Sequence, residues 1–186
     1  IQQVRVQRNV RGLKCFFADL DVEPGNANKF ESQEHACGEL LKFCEATKLP
    51  MPMVVSSGGG IHVYWALEQE VQPEVWKQTA ESLKRLAAAH EFRADPACTA
   101  DMARVLRPVG TWNRKNAQAP TAVELVLDAE PLSFGSLNHM VVRALHAAGV
   151  KPPEGIKAAA APTEALNEAF AIQREFPPCS GLKVAD

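Results

Sequence analysis

Hydrophobic and polar residues follow two different periods along this chain, and the changes between them outline its elements. Alternation with a period of two, or a short apolar run bounded by turn residues, indicates a strand. Such stretches predict strands at 13–22, 53–56, 61–67 and 121–127, with a short one at 91–94. Because only the sequence SGGG separates the second strand from the third, we expect these two to form a hairpin.

Apolar residues spaced three and four apart predict helices at 32–48, 73–90 and 132–149. Ser32 is suited to cap the first helix, and Pro73 to begin the second, because proline is well tolerated in a first helical turn. The stretch 101–107 is predicted to form one or two helical turns. Helices interleaved with strands and a hairpin predict an α+β domain built on a sheet.

The domain organisation follows from a change in composition near residue 150. We expect one domain at 1–150, a linker at 151–162 that is rich in alanine and proline, and a C-terminal segment at 163–186. A helix is expected at 163–175. We expect the C-terminal segment to be the start of a further domain in a longer protein.

Composition argues against several classes of protein. No apolar run reaches the roughly 18 residues that cross a bilayer, so we expect no membrane span and no membrane partner. The 5 cysteines are an odd number without CxxC spacing, which argues against a disulfide framework and a cysteine-rich zinc site, and favours a cytoplasmic protein.

The formal net charge of −2 conceals two basic clusters. Positive patches of this kind can follow a phosphate backbone, although the alternative is a solvated face. The clusters are Arg5, Arg8, Arg11 and Lys14 near the start of the chain, and Arg104, Arg107, Arg114 and Lys115 further on.

Asp19 and Asp21 are the first candidate site residues. Side chains two apart on a strand point to the same face, so both carboxylates would stand together at the end of the first strand. Their oxygens suit a hard cation such as Mg²⁺, which would also offset their repulsion. So short a pair also occurs at ordinary surface turns, and that alternative stays open.

The second candidate is the glycine-rich stretch SSGGGIHVYW at 56–65. Glycines let a backbone approach a ligand closely, and consecutive N–H groups can form a nest for an anion. Ser57, Gly59 and Gly60 are therefore candidate phosphate-binding residues, and His62 on the following strand can donate to a phosphate oxygen. The alternative is a flexible hairpin turn followed by an ordinary strand histidine.

The third candidate is the stretch ADPACTADMARVLRPVGTWNRK at 94–115. Asp95 or Asp101 could supply a third carboxylate for a two-metal site. Cations in this stretch could neutralise a triphosphate, and its polar side chains could hydrogen-bond a sugar or phosphate. These candidates are Arg104, Arg107, Thr111, Asn113 and Lys115. The alternative is a loop that forms salt bridges with its own acids.

Together the three stretches resemble, in order and spacing, the motifs of the archaeo-eukaryotic primase superfamily. FFADLDV resembles its DxD motif, SSGGGIHVYWAL the phage and plasmid form of its sxH motif, and ADPACTADMARVLRPVGTWNRK its third motif with the signature that follows. The resemblance covers about residues 12–115. Gly60 stands where the serine of sxH would fall, and Pro108-Val109-Gly110 replaces Leu-Pro-Gly.

The resemblance implies an RRM-like catalytic core with a flanking α/β unit. It implies that Asp19, Asp21 and a third acid bind two Mg²⁺ or Mn²⁺ ions; we prefer Asp95, with Asp101 as its rival. His62 would contact the phosphates of an incoming NTP or dNTP. The implied activity is template-dependent nucleotidyl transfer on single-stranded DNA, as in a DNA primase or DNA polymerase that replicates a phage, plasmid or related element. In such proteins a helicase domain often follows in the same polypeptide.

Two other classes of function are open to this sequence. One is a non-catalytic, primase-like module that binds single-stranded DNA or nucleotide. The other is a rolling-circle replication initiator, which needs two histidines flanking an apolar residue and a nucleophilic tyrosine. The second class is disfavoured, because His62 has no histidine two residues away and Tyr64 is the only tyrosine.

Overall fold

Four strands form one antiparallel sheet within residues 6–153, the part of the chain that this computed structural model describes. They are Leu13–Asp21 (β1), Met53–Ser56 (β2), Gly60–Val71 (β3) and, later in the chain, Glu124–Leu127 (β6). Their order across the sheet is β1-β3-β2-β6. Two short strands, Trp112–Asn113 (β4) and Thr121–Ala122 (β5), pair separately with each other. The predicted segment 163–186 and most of the predicted linker lie outside the described residues.

The helices begin where the sequence supplies suitable first residues. They are Gln33–Thr47 (α1), Pro73–Ala89 (α2), Pro96–Thr99 (α3) and Phe134–Ala147 (α4). Ser32 Oγ accepts a hydrogen bond from the His35 N–H at 3.1 Å, which confirms the predicted cap of α1. No helix within residues 6–153 is long and apolar enough to cross a membrane.

Aromatic packing fixes α2 against β1, an outer strand of the sheet. Phe16 of β1 stacks on Trp76 of α2 with ring centroids 5.4 Å apart, and Trp76 Nε1 donates to the Cys15 carbonyl at 2.8 Å. Trp76 is fully buried, so this hydrogen bond satisfies an N–H that would otherwise be costly to bury. Because side chains alternate along β1, Asp19 and Asp21 lie on the face opposite Phe16.

The α+β prediction is confirmed, as are the hairpin and the three longer helices. The order β1-α1-β2-β3-α2 follows the first five elements of the β-α-β-β-α-β arrangement. The predicted edge strand at 121–127 is divided into β5 and β6, and β6 does lie at the edge of the sheet. The division falls at Val123, whose N–H bonds to the Thr111 carbonyl instead of to a sheet partner.

Two local predictions are wrong. The stretch 91–94 forms no strand, because Glu91 has a φ of 52° and the chain turns there. The stretch 101–107 is not helical; the helical turn lies earlier, at α3, where Asp95 caps the helix and Pro96 occupies its first position. A hydrogen bond from the Asp95 N–H to the Asp19 carbonyl, at 2.9 Å, links this region to β1.

Candidate functional site

The antiparallel pairing of β1 with β3 brings the first two sequence candidates together. Asp19 is the direct partner of His62 in this ladder, and Asp21 is the partner of Gly60. Directly opposite residues project from the same face of a sheet, so the acid and the imidazole are neighbours. His62 Nε2 lies 3.7 Å from Asp19 Oδ1.

A cavity of about 470 Å³ opens on this face of the sheet. The cavity wall is formed by the end of β1, the beginning of β3, the glycine loop at 57–60 and the stretch 104–115. Its lining residues are Asp19, Asp21, Ser57, Gly59, His62, Arg104, Val105, Leu106, Arg107, Pro108, Asn113 and Lys115. The three stretches that the sequence singled out therefore meet at one cavity, which holds both acids and cations.

The charge balance at Asp19 reflects its crowded surroundings. Burial is the main cause that raises the pKa of Asp19 to about 6, and the carboxylates of Asp21 and Asp95 contribute in the same direction. Arg104 and Arg107 oppose this shift. Neighbouring carboxylates repel one another when ionised, so their ionised form would be stabilised by a bound cation.

Burial also controls the charge of His62, whose side chain is only 2% exposed. Loss of hydration and the nearby guanidinium groups of Arg107 and Arg104 lower the pKa of His62 to about 4, although Asp21 acts in the opposite direction. His62 is therefore neutral near pH 7, and its contact with Asp19 is not an ion pair. A neutral imidazole still has one N–H with which to donate to an anion.

Steric crowding explains two of the three glycines of the loop. Gly58 has a φ of +76°, and a Cβ there would lie 2.9 Å from the Cβ atoms of both Asn113 and Thr121. Gly60 has no room for a side chain, because a Cβ would overlap the Leu20 carbonyl oxygen of β1. The departure from the sxH motif at position 60 thus has a structural reason: β1 passes too close for a serine.

Asn113 ties the third stretch to the glycine loop. Its Nδ2 donates to the Ser57 carbonyl at 3.0 Å, and its Oδ1 accepts from the Lys115 N–H at 3.1 Å. The side chain is buried, so these bonds hold the wall of the cavity in place. Thr111 differs: it is exposed, donates to the Pro108 carbonyl at 2.6 Å and does not line the cavity.

Both candidates for the third acid have other hydrogen-bond partners. Asp95 Oδ1 caps α3 by accepting from the Ala97 N–H at 2.9 Å, and Asp95 Oδ2 accepts from Arg104 Nη2 at 3.0 Å. Asp101 Oδ1 accepts from the Ala103 N–H at 3.1 Å within its own turn. Neither acid lines the cavity. The alternative interpretation of this stretch, in which its cations form salt bridges with its own acids, is therefore correct for Arg104 and Asp95.

These carboxylates fit a divalent cation only in part. Among residues 6–153, no group of three or more His, Cys, Asp or Glu side chains is arranged to hold a metal ion. Asp19 and Asp21 nevertheless offer oxygen ligands from one face of β1. Mg²⁺ commonly binds through one or two carboxylates, with substrate phosphates and water as its other ligands. The pair therefore suits an ion that binds together with a phosphate-bearing ligand.

Lys29 is a site-bordering residue that the sequence did not reveal. Its Nζ lies 3.7 Å from Asp21 Oδ2 and 2.8 Å from Glu23 Oε2. Its backbone is fixed by Arg93, whose Nη1 donates to the Lys29 carbonyl at 2.7 Å and whose guanidinium lies over the Phe30 ring. Arg93 is 64 residues away in sequence, so no local pattern could have shown this arrangement.

Tyr64 was also missed as a site residue, although the sequence contained a signal for it. Its hydroxyl lies 3.3 Å from His62 Nδ1. The two residues are two apart on β3, and side chains at that spacing share a face. The same alternation that grouped Asp19 with Asp21 would have grouped Tyr64 with His62.

Comparison with known proteins gives a structural similarity without a sequence match. No protein-family model matches the sequence, and no curated protein matches it. The fold is similar to that of the primase-polymerase AEP domain of cyanophage S-2L, with a TM-score of 0.54 and 18% identity. The match covers 74% of this chain and 64% of the cyanophage domain, so this chain spans less than two thirds of the length of that domain.

A second solved structure, primase RepB', is more distant. Its TM-score is 0.47 at 20% identity, over 74% of this chain and 40% of the other. At such low identity the similarity to the cyanophage domain shows a shared fold, which is the fold that the three motifs led us to expect.

Proposed function

We propose that this chain, which has the fold of a primase-polymerase AEP domain, catalyses nucleotidyl transfer on a single-stranded DNA template. One observation carries the proposal. The paired acids of β1, the buried His62 of β3 and three cations all line one cavity; the cations are Arg104, Arg107 and Lys115. A site that joins a nucleotide to a chain needs groups of both kinds, because it must bind metal ions and also neutralise a triphosphate.

In this proposal Asp19 and Asp21 hold divalent metal, either Mg²⁺ or Mn²⁺, since both accept carboxylate oxygen ligands. Bound metal ions would supply charge neutralisation for the attacking and leaving oxygens of an in-line displacement. Burial is the main cause of the raised pKa of Asp19, and repulsion by the Asp21 carboxylate adds a further cost to its ionised form. That cost would be relieved on ion binding.

The cationic wall of the cavity binds the triphosphate of an incoming NTP or dNTP. Arg104 and Arg107 offer guanidinium forks that match phosphate oxygens, and Lys115 offers a point charge. His62 donates its single N–H to a phosphate oxygen, and Ser57 and Gly59 approach the ligand from the glycine loop. A primer 3′-hydroxyl then attacks the α-phosphate, and pyrophosphate leaves.

Asp95 remains our choice over Asp101 for the third acid. The Asp95 N–H bonds to the Asp19 carbonyl, and the Asp95 carboxylate contributes to the raised pKa of Asp19. The Asp101 carboxylate instead accepts bonds from Ala103 and Gln7. Ligation by Asp95 would compete with its hydrogen bond to Arg104.

Metal-dependent incorporation on a primed single-stranded template tests the proposal, with each nucleotide pool supplied in Mg²⁺ and in Mn²⁺. We expect the Asp19→Ala plus Asp21→Ala double variant to lose about a hundredfold or more of the activity. The matched control is Asp128→Ala plus Glu130→Ala, a second pair of acids two apart that is exposed and does not line the cavity. Equal incorporation by the two double variants would refute the metal mechanism.

A non-catalytic module that binds nucleotide or single-stranded DNA is the second candidate function. It is favoured by one observation: within residues 6–153 no three potential ligand side chains are clustered for a metal ion. This candidate predicts nucleotide binding without incorporation under any metal. A rolling-circle initiator gains no support, because the Tyr64 hydroxyl lies against His62 and does not line the cavity.

A further inference from the structure

His62 has a different neighbour at each of its two ring nitrogens. The Tyr64 hydroxyl lies 3.3 Å from Nδ1, and Asp19 Oδ1 lies 3.7 Å from Nε2. A neutral imidazole carries one proton, and the hydrogen bond at one nitrogen decides whether the other nitrogen bears that proton. These two neighbours therefore determine which nitrogen carries the proton, and so whether Nε2 can act as a hydrogen-bond donor in the cavity.

On the Tyr64 side, the hydroxyl can serve a bare Nδ1 as a hydrogen-bond donor. Burial raises the pKa of Tyr64 well above its ordinary value, so the hydroxyl keeps its proton. A phenol O–H that points at Nδ1 donates to the lone pair of that nitrogen. The rings meet edge to face, with centroids 6.3 Å apart, and the partly buried Tyr64 ring is itself fixed on β3.

The Asp19 side selects the same tautomer. If Nε2 were bare, its lone pair would face a carboxylate oxygen at 3.7 Å, and two acceptors would oppose each other. With the proton on Nε2, the ring presents an N–H to Asp19 and to the cavity that both residues line. The requirements of the two neighbours therefore agree.

We infer that Tyr64 is a positioning residue that fixes His62 as the Nε2–H tautomer, so that a neutral histidine presents a hydrogen-bond donor to a phosphate oxygen in the cavity. Tyr64 acts through His62 and does not line the cavity itself. The role of the donor rests on the proposed function, whereas the tautomer is a property of the free protein.

Multiple-bond ¹H–¹⁵N correlation spectra of the metal-free protein test the tautomer directly. The protein has 5 histidines, and the His62 signals are identified by their loss in His62→Gln. In the unmodified protein we expect the proton on Nε2. In Tyr64→Phe, which keeps the ring and removes the hydroxyl, we expect the His62 nitrogen shifts to move toward a mixture of tautomers. A proton on Nδ1 in the unmodified protein, or unchanged shifts in the variant, would overturn the inference.

Calorimetric titration with inorganic tripolyphosphate measures the consequence for binding. Tyr64→Phe should weaken tripolyphosphate binding about threefold to tenfold. This is the range expected when His62 is no longer held with its proton on Nε2 and its hydrogen bond to the ligand is weakened. In a His62→Gln background the same substitution should have no further effect, because Tyr64 acts through the imidazole. Equal losses in both backgrounds would indicate a purely structural role and refute positioning.

Failure of the inference and failure of the proposed function give different results. If the unmodified protein does not bind tripolyphosphate or incorporate nucleotides, the proposed function fails, while the spectra still decide the tautomer. If incorporation is normal but the Tyr64→Phe spectra are unchanged, only the inference fails.

Discussion

Arg104 donates from Nη2 to Oδ2 of Asp95 at 3.0 Å, while the other oxygen of the same carboxylate caps α3. One Asp95 oxygen therefore stabilises α3, and the other holds Arg104, which lines the cavity. Two different substitutions at Asp95 can separate the effect of losing the helix cap from the effect of losing the negative charge.

Asp95→Asn keeps a good N-cap and removes the charge that pairs with Arg104. Because this ion pair is partly exposed, we expect a change of less than about 1 kcal/mol in the free energy of unfolding. Asp95→Ala also loses the cap and should be less stable than Asp95→Asn by about 1 kcal/mol. Urea unfolding measures both changes.

Nucleotide incorporation should fall about tenfold or more in each variant. Each substitution removes either a metal-ligating carboxylate or the group that holds Arg104 in place. Full activity in Asp95→Asn would exclude both functional roles of this carboxylate.

Gly60→Ala should destabilise the protein because the added Cβ meets the backbone of β1 at Leu20. Overpacking of this kind costs roughly 1–3 kcal/mol. Gly38→Ala is the control: Gly38 lies on an exposed part of α1 with nothing within 4 Å of the added atom, so it should gain about 0.5–1 kcal/mol. Thermal or urea unfolding checks both. Equal stability of Gly60→Ala and Gly38→Ala would contradict the close approach of β1 to β3.

The stability of the metal-free protein should depend on the protonation of His62. Its folded pKa is about 4 and its ordinary value is 6.5, so between these values the unfolded chain binds the proton more readily. Stability from a neutral His62 is complete above pH 6.5 and is lost as the pH falls toward 4, by an amount on the order of 3 kcal/mol. Asp19, with its raised pKa, acts in the opposite direction over a similar range.

A comparison with His62→Gln isolates the contribution of the histidine, since both proteins retain Asp19. In buffer with a chelator, the unmodified protein should lose stability relative to His62→Gln as the pH is lowered from 6.5 to 4. Urea unfolding at several pH values measures the difference. A difference that stays constant with pH would show that His62 titrates normally and is not desolvated.

Trp112 should report on binding of single-stranded DNA. Of the 3 tryptophans, Trp65 and Trp76 are buried, whereas Trp112 is 54% exposed on β4. It precedes Asn113, which lines the cavity, and exposed aromatic rings beside basic residues commonly stack on bases. Oligonucleotide binding should therefore quench the tryptophan emission, and Trp112→Phe should remove most of this change.

The affinity of Trp112→Phe for a single-stranded oligonucleotide should fall less than that of Trp112→Ala, which is expected to lose about tenfold. Fluorescence anisotropy of a labelled oligonucleotide measures both. Unchanged affinity in Trp112→Ala would show that the template does not pass over this residue.

Some features of the fold and site were predictable because they depend on neighbours in the chain. The alternation of side chains along a strand is a consequence of backbone geometry, so the shared face of Asp19 and Asp21 could be deduced without a structure. The same is true of the cap at Ser32, of Pro73 at the start of α2 and of the hairpin around the glycine loop. The prediction of a short strand at 91–94 was wrong because the preference of these residues for a strand is weak, and the chain turns at Glu91 instead.

The remaining features depended on contacts between distant parts of the chain. The sequence placed acids, histidine and cations in three separate stretches, and the pairing of β1 with β3 set Asp19 opposite His62. Only the folded chain could show that Arg104 binds Asp95. The same is true of the support that Asn113 gives to the glycine loop, and of the lack of room for a side chain at Gly60. Local propensity acts over a few residues, whereas hydrogen bonds, burial and charge depend on which distant groups meet, and that is decided when the whole chain packs.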